Sequence, residues 1–396
     1  MFRVITILFF ASACYCKTDF SGRARNFSIE LLHYTARETD SHVVISPFGV
    51  WTLMTGVALG ATGNSYNQLT KAFLLPKNPK SLIDGYKKLS RTVLNTTTSA
   101  VSLTSKNFVF LDNGFPIYDD FRQTLKKDFG AMIKNLDFKD SDKAAAAAND
   151  IIQKSGATVS NVLRSDDFTE SRMILTNAIS FKGLWALPFN TSDTTVEPFY
   201  DETKKQIGKV NMMYQNAAVA FSNIRDMKAL ALEMPYGDDG KYSMLLLLPH
   251  PKVKVEEVYQ QFENVSIMDI YKQLQKDVDE FGLEEIEVRI PRFRISTNVI
   301  LNKPLGYMGV NDIFQPNLAS FKRVTKEEIF VSAIVHKADI EVTESGTVAS
   351  AATSAFIVDK IGSPKFHANR PFIYLIMEKP TTTVLFGGIY SKPTVF

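Results

Sequence analysis

The 396-residue sequence has few cysteines, little net charge and no apolar run long enough to span a bilayer. Its only two cysteines, Cys14 and Cys16, form no motif typical of zinc or redox sites. Lys and Arg number 45 against 42 Asp and Glu, which gives a formal charge of +3. This charge gives no reason to expect a nucleic acid or an anionic membrane as a partner.

The motifs of common enzyme classes are also absent. No G-x-S-x-G elbow, P-loop or G-x-G-x-x-G loop occurs in the sequence. Scattered Ser, His and Asp residues can still form a triad, because triads depend on geometry and not on order. None of the histidines lies in a metal-ligand spacing, so we expect no enzyme, metal or cofactor. The five histidines are His33, His42, His250, His336 and His367.

The residues that are present support a large core, since 45% are hydrophobic and 29 are Phe. Helical periodicity dominates the first third, as in residues 26–38 and 49–73. In the second of these segments, Gly56 and Gly60 indicate close packing of another element rather than a membrane dimer face. From Met173 onward, apolar or alternating runs predict strands, and no linker marks a domain boundary, so we expect one α+β domain. The runs are 173–185, 229–236, 242–250, 286–296 and 329–343.

The N-terminus has the layout of a secretory signal peptide, with Arg3 ahead of an apolar run and then small residues. Cleavage after Ala13 and cleavage after Cys16 both fit this layout. We assign residues 1–16 to the signal peptide and 17–396 to a single mature domain. On a secreted, extracellular chain, four Asn-x-Ser/Thr sequons are candidate glycosylation sites. They are Asn26, Asn95, Asn190 and Asn264.

A run near the C-terminus is unusual for a chain that is 22% charged. From Thr347 to Val358 it holds mostly Ala, Ser and Thr, with no charge and no proline. A linker or a disordered tail would carry more Gly, Pro or charge. Side chains this small can be exposed in a loop and later enter a dense sheet as a strand without overpacking it.

Seven motifs in order resemble the serpin family over nearly the whole mature chain. They are VVISPFGV (43–50), LTNAISFKGLWALPF (175–189), ALEMPY (231–236), RIPRFRIS (289–296), LGYMGVNDIF (305–314), VHKADIEVTESGT (335–347) and HANRPFIYLIMEKPTTTVLFGGIYSKP (367–393). The resemblance implies an α+β serpin fold with a large central sheet, smaller sheets and about nine helices. It also implies an exposed reactive loop at about 344–365 and a suicide inhibitor of proteases that forms a covalent acyl complex.

The resemblance assigns a hinge to the start of this loop. Gly346 supplies the conformational freedom needed where the loop enters the sheet. Because side chains alternate along a strand, Thr347 and Ala349 would face the same side. Ser345 and Val348 stand where charged residues are common in the family, and we expect little effect from either. The hinge residues are Glu344, Gly346, Thr347, Ala349, Ala351, Ala352 and Thr353.

Further family positions map to the region where the sheet opens. Ser46, Asn177 and His336 match a hydrogen-bonded group beneath the opening, and Trp185 matches a tryptophan where insertion begins. Gly49 replaces the usual serine of this group. This replacement predicts that the strands of the central sheet are held together less tightly where the sheet opens. In the helix that crosses the sheet, Ile151 replaces the usual tryptophan. We interpret that replacement as a change in packing only.

The family's loop length predicts the cleaved bond. Fourteen residues beyond Gly346 lies Lys360, followed by Ile361, and a lysine there favours a trypsin-like serine protease. The apolar residues Phe356–Val358 offer an alternative, a papain-like cysteine protease. A second alternative is a non-inhibitory carrier or chaperone, which would need a hinge that cannot insert.

Other partners are weakly indicated. Lys87, Lys88 and Arg91 can form a small basic patch for a polyanion, although a solvated helix face explains the same pattern. We expect a monomer with the target protease as its main partner.

Overall fold

The computed structural model describes residues 20–96, 98–156, 161–169, 171–283, 285–347 and 364–393, with side chains from Phe27 onward. Within these ranges the chain forms nine α-helices and sixteen β-strands. The helices are α1 (Phe20–Arg37), α2 (Pro47–Gly60), α3 (Gly63–Ala72), α4 (Pro79–Leu94), α5 (Asp119–Lys127), α6 (Ser141–Lys154), α7 (Val255–Gln260), α8 (Ile267–Phe281) and α9 (Asn302–Tyr307).

The strands form three sheets. The strands are β1 (Val43–Ile45), β2 (Val101–Asp112), β3 (Met132–Leu136), β4 (Met173–Leu184), β5 (Thr195–Tyr200), β6 (Gln206–Ala218), β7 (Phe221–Ile224), β8 (Ala229–Tyr236), β9 (Tyr242–Pro249), β10 (Glu285–Pro291), β11 (Phe293–Ile300), β12 (Val335–Thr343), β13 (Gly346–Thr347), β14 (Lys365–His367), β15 (Phe372–Glu378) and β16 (Thr383–Tyr390). The central sheet has the order β11-β12-β13-β4-β2-β3. A second six-stranded sheet has the order β1-β16-β15-β9-β8-β7, and a four-stranded sheet has the order β14-β10-β6-β5.

Helix α2 lies in the middle of the core, and all of its residues are buried. Ser46 caps its N-terminus by accepting the backbone N–H of Gly49, and Pro47 occupies the first helical position. A Cβ on Gly60 would lie 2.5 Å from Val324 Cγ2 and 2.8 Å from a ring carbon of Phe121. The interpretation of the paired glycines as close packing is therefore confirmed.

Helix α6 covers the central sheet through a cluster of its own. Its buried face carries Ala144, Ala145 and Ala148, with Ile152 as the larger anchor. Ile151 is half-buried and packs against the same cluster. Ile151 therefore contributes to the packing of α6 on the sheet, and the effect of the replaced tryptophan stays a prediction.

One predicted strand is shorter than its apolar pattern. Residues 329–343 read as a single run, but β12 begins only at Val335. The Val331 N–H donates to the carbonyl of Ile313, and the Ile334 N–H donates to the side chain of Asn302. Tertiary hydrogen bonds take the place of a ladder there, which the local pattern does not reveal. None of the nine described helices combines the length and the apolar content that a membrane span requires.

Candidate functional site

The first residues of the predicted hinge already form a strand of the central sheet. Strand β13 pairs with β12 through Val342 and Thr343, and with β4 through Gly183 and Leu184. Strands β4 and β12 share no ladder of their own, so β13 is what joins them in the described part of the chain. The two strands are therefore separated by the width of one strand at this level.

Only glycine fits the first position of β13. Gly346 has a φ of 141°, in the region that L side chains rarely adopt. A Cβ built on it would overlap the carbonyl oxygen of Gly183 and lie 2.7 Å from the Cα of Leu184. Backbone geometry thus explains the hinge glycine that the sequence indicated.

Thr347 is buried, and its side chain points into the core. Its hydroxyl lies 2.7 Å from the hydroxyl of Tyr236. The Tyr236 ring stacks on Trp185 at a centroid distance of 4.5 Å and an interplanar angle of 10°. Burial raises the pKa of Tyr236 well above its ordinary value, because the phenolate would lose its hydration. A Cβ on Gly183 would meet the same ring at 2.7 Å, so a glycine is needed there to make room for it.

The turn before β13 is held by the segment that follows β4. The N–H of Phe189 donates to the carbonyl of Glu344 at 2.8 Å, and the N–H of Trp185 donates to the carbonyl of Ser345 at 3.0 Å. The Glu344 carboxylate is buried and accepts the hydroxyl of Thr194 at 2.8 Å. Arg292 lies 3.9 Å from its other oxygen. These contacts fix the point at which the chain enters the sheet.

The downstream end of the loop is anchored in a different sheet. Strand β14 pairs in parallel with β10 and places Lys365 opposite Glu287. Their side chains form an ion pair of 2.6 Å, and this pair lowers the pKa of Glu287. Arg289 connects Glu287 to Glu197, and His367 lies 3.2 Å from Glu197. The chain on either side of residues 348–363 is thus fixed on two separate sheets.

The structure brings together the residues predicted around the sheet opening, Ser46, Gly49, Asn177 and His336. Trp185, predicted where insertion begins, lies beside the turn before β13. The Ser46 N–H donates to His336 Nε2 at 2.9 Å, and the Ser46 hydroxyl donates to the carbonyl of Leu385. Gly49 lies against both Ser46 and Asn177. The Asn177 amide nitrogen donates toward β2.

His336 is buried as a neutral imidazole. Burial lowers its pKa to about 4, because the charged form would lose its hydration. Its Nε2 accepts a hydrogen bond, so the proton lies on Nδ1. His336 therefore acts as a fixed acceptor that ties β12 to the start of α2.

Several predicted residues lie outside the described ranges. These are the signal peptide 1–16, the hinge residues Ala349, Ala351, Ala352 and Thr353, the apolar residues Phe356–Val358 and the predicted bond between Lys360 and Ile361. Among the sequons, Asn95 and Asn264 are exposed, and Asn190 is half-buried with its side chain accepting the N–H of Ser192. Asn26 lies in α1, and its side chain is outside the description.

The basic residues of α4 are partly neutralised. Lys87 forms an ion pair with Asp128, whereas Lys88 and Arg91 are exposed. The polyanion patch stays a prediction. Residue patterns alone did not single out Tyr236 and Arg292, although both lie inside the motifs 231–236 and 289–296.

The fold and the hinge geometry agree with the comparison to known families. Residues 23–393 match the family model described as Serpin (serine protease inhibitor). The chain belongs to the serpin family. The match covers both the sheet and the strands that flank the loop. The predicted α+β serpin fold is confirmed, including its central sheet and nine described helices.

Curated relatives of this serpin include proteins named as elastase inhibitors. Leukocyte elastase inhibitor A of Rattus norvegicus is 31% identical over 93% of this chain and 97% of that relative. Serpin B9 of Homo sapiens is 28% identical over 94% of this chain and 99% of that relative. Antithrombin-III of Mus musculus is 28% identical over 91% of this chain and 78% of its own length. An inhibitory rather than a catalytic role is therefore supported.

Solved structures show the same fold. The structure described as cleaved Serpin 42Da matches with a TM-score of 0.81 at 25% identity, over 93% of this chain and 97% of the other. Human thyroxine-binding globulin also matches with a TM-score of 0.81, over 95% of this serpin and 99% of that chain. At 22% identity, the second likeness concerns the fold alone.

Gly346→Ala tests the hinge geometry. We expect β13 to leave the sheet, because strain of about 1–3 kcal/mol at this φ adds to the overlap with Gly183. The fluorescence of Trp185, which lies at the edge of β13, should change. Gly240→Ala is the control, since Gly240 has a φ of 65° with nothing within 4 Å. Equal spectra for Gly346→Ala and the parent protein would contradict this account.

The buried His336 predicts a pH dependence of stability. Unfolded histidine binds a proton near pH 6.5, whereas folded His336 does so only near pH 4. The unfolded state therefore binds more protons between these values, and stability falls as the pH is lowered through this window. Urea unfolding of His336→Gln should show a pH dependence weaker by ~3 kcal/mol. His42, whose pKa is also lowered to about 4, retains its own contribution in this variant. An unchanged pH profile would argue against a neutral buried His336.

Proposed function

We propose that this serpin is a suicide inhibitor of an endopeptidase, in which the cleaved loop enters the central sheet between β4 and β12. The observation that carries the proposal is β13, which already occupies the start of that path. Thr347 faces the buried Tyr236, so alternation would turn Ala349, Ala351 and Thr353 to the same side. Small side chains at these positions suit a strand that must fit between two existing ones.

The two anchors explain why cleavage precedes insertion. The chain enters at β13 in the central sheet and resumes at β14 in the four-stranded sheet. As long as β14 stays paired with β10, the residues just before β14 cannot follow β13 into the space between β4 and β12. A cut upstream of Lys365 frees the strand. Fourteen residues then extend ~45 Å at ~3.3 Å per residue, enough to carry an attached protease across most of a domain.

The proposed target is a trypsin-like serine protease that cuts after Lys360. The protease serine Oγ adds to the Lys360 carbonyl carbon, and the peptide bond to Ile361 breaks. The Ile361 nitrogen leaves as an amine, with the proton supplied by the protease histidine. An ester joins the two proteins, and strand insertion separates the catalytic groups before water hydrolyses it.

We also propose that the protein is secreted as a monomeric glycoprotein after removal of residues 1–16. The exposed side chains of Asn95 and Asn264 suit attachment of a sugar. Asn190 suits it less well, because its side chain is half-buried and caps a short turn. Intact mass of material from secreting cells, before and after enzymatic deglycosylation, would count the occupied sites.

The direct test is to incubate the purified protein with trypsin and, separately, with papain. We expect a complex with trypsin that survives a denaturing gel, together with a released peptide beginning at Ile361. Lys360→Gln should lose that complex and serves as the matched control for the bond. A stable complex with papain and cleavage within Phe356–Val358 would instead indicate the cysteine-protease alternative. Cleavage without a complex by either enzyme would favour a non-inhibitory carrier.

Thr347→Arg tests the insertion step itself. A guanidinium cannot be buried beside Tyr236 and Gly183 without a cost of several kcal/mol, so insertion should stall. The variant should be cleaved as a substrate, with the yield of covalent complex reduced by at least ~10-fold. Thr347→Ser keeps the hydroxyl that contacts Tyr236 and should inhibit like the parent. A normal yield of complex from Thr347→Arg would contradict the proposed path.

A further inference from the structure

A small cavity lies where three segments of the chain meet, and it shares no lining residue with the hinge. Its volume is about 270 Å³. Its walls are the end of β5 with the turn that follows it, the segment after β9, and Asn369 and Arg370 between β14 and β15. Pockets for drug-sized ligands have volumes of about 300–1,000 Å³, so this cavity suits a small ligand.

Arg370 brings a positive charge to this cavity without a counter-ion. The guanidinium is half-buried, and its Nε and Nη2 donate to the Pro249 carbonyl at 2.9 and 2.6 Å. Burial lowers the pKa of Arg370, and no acidic group among the described residues opposes this effect. Burial and the charge of Arg370 together lower the pKa of His250 nearby. A guanidinium that has lost hydration and gained one neutral acceptor favours the binding of an anion.

Two lysines line the same cavity from two other segments. Lys204 lies in the turn after β5 and Lys252 in the segment after β9, and both are exposed. Their φ angles are 69° and 71°, in the left-handed region that favours glycine and asparagine. Backbone geometry alone therefore does not explain a lysine at either position. Each ammonium group adds a flexible positive charge to the rim of the cavity.

Two carboxylates also line the cavity, and one of them is engaged in its own turn. Asp201 Oδ1 accepts the hydroxyl and the N–H of Thr203 and the N–H of Lys205. These bonds, the Thr203 hydroxyl first, lower the pKa of Asp201. Glu202 is the second carboxylate. With three cations against two carboxylates, the lining has an excess of one positive charge.

We propose that this cavity binds the phosphate group of a small molecule, with Arg370 donating to its oxygens and Lys204 and Lys252 neutralising its charge. The oxygens of a tetrahedral phosphate point in different directions, which suits three cations that come from three segments, whereas a carboxylate is planar. A bound phosphate would connect these segments and stabilise the folded state. The proposal is independent of loop insertion.

The test is a titration of the purified protein with phenyl phosphate, followed by broadening of the ligand's NMR lines. The ionic strength is held constant with sodium chloride, so that general screening does not change. In the double variant Lys204→Asn, Lys252→Asn, asparagine suits the left-handed backbone, and the fold should be kept. We expect its Kd for phenyl phosphate to be about tenfold higher than that of the parent protein.

Lys228→Asn is the matched control. Lys228 also has a left-handed φ, 53°, but it does not line the cavity. Its Kd should stay close to that of the parent protein. An unchanged Kd in the double variant would overturn the proposal, and so would equal weakening in Lys228→Asn, which would indicate general attraction by surface charge.

Arg370→Gln should abolish binding. Because Arg370 also holds the Pro249 carbonyl, urea unfolding shows whether this variant is folded, and the double variant decides the test if it is not.

Two further ligands identify the group that is bound. Benzoate, which carries a carboxylate on the same ring, should bind several-fold more weakly than phenyl phosphate, and equal binding would contradict a phosphate site. Inorganic phosphate separates the two sources of the group. A tighter Kd for phenyl phosphate would support an organic ester whose ring packs on Tyr200 and Pro251, whereas equal values would support the free ion. Absence of binding by both phosphates would overturn the proposal.

Discussion

The separation of β4 from β12 is the constraint on which the rest of the structure depends. The two strands are connected through the two residues of β13, and each of those residues has a specific requirement. Gly346 passes so close to the Gly183 carbonyl that no side chain fits, and Thr347 must bury its hydroxyl against Tyr236. Within the described residues, no other ladder joins β4 to β12.

The elements around this path are organised as two units. Strand β4 is bound to β2 over eleven residue pairs, and Asn177 reinforces that contact from the side. Strand β12 is bound to β11 and, through His336, to helix α2. Hydrogen bonds within one unit do not hold the two units together. In the described part of the chain, the two units are therefore held together by packing and by β13 rather than by a direct ladder between β4 and β12.

The two ends of the loop are held by contacts of different character. At the upstream end, backbone hydrogen bonds and the buried Glu344 fix a tight turn. At the downstream end, the ion pairs of Lys365 and His367 lie on the more exposed edge strand β14. Exposed ion pairs are weak and screened by salt, whereas buried hydrogen bonds are not. The downstream end is also held by the backbone ladder between β14 and β10 and by the buried Phe366.

The sequence by itself determined the fold class, the hinge glycine and the small-residue run, because these depend on local composition and on motifs in order. It also indicated Ser46, Asn177 and His336 as neighbours, through resemblance rather than through spacing. Only the tertiary structure decided that the Asn177 amide donates to β2 and that the hydroxyls of Tyr236 and Thr347 are hydrogen-bonded. It also decided that residues 329–334 lie outside β12. Each of these depends on contacts between residues far apart in the chain, which no local pattern records.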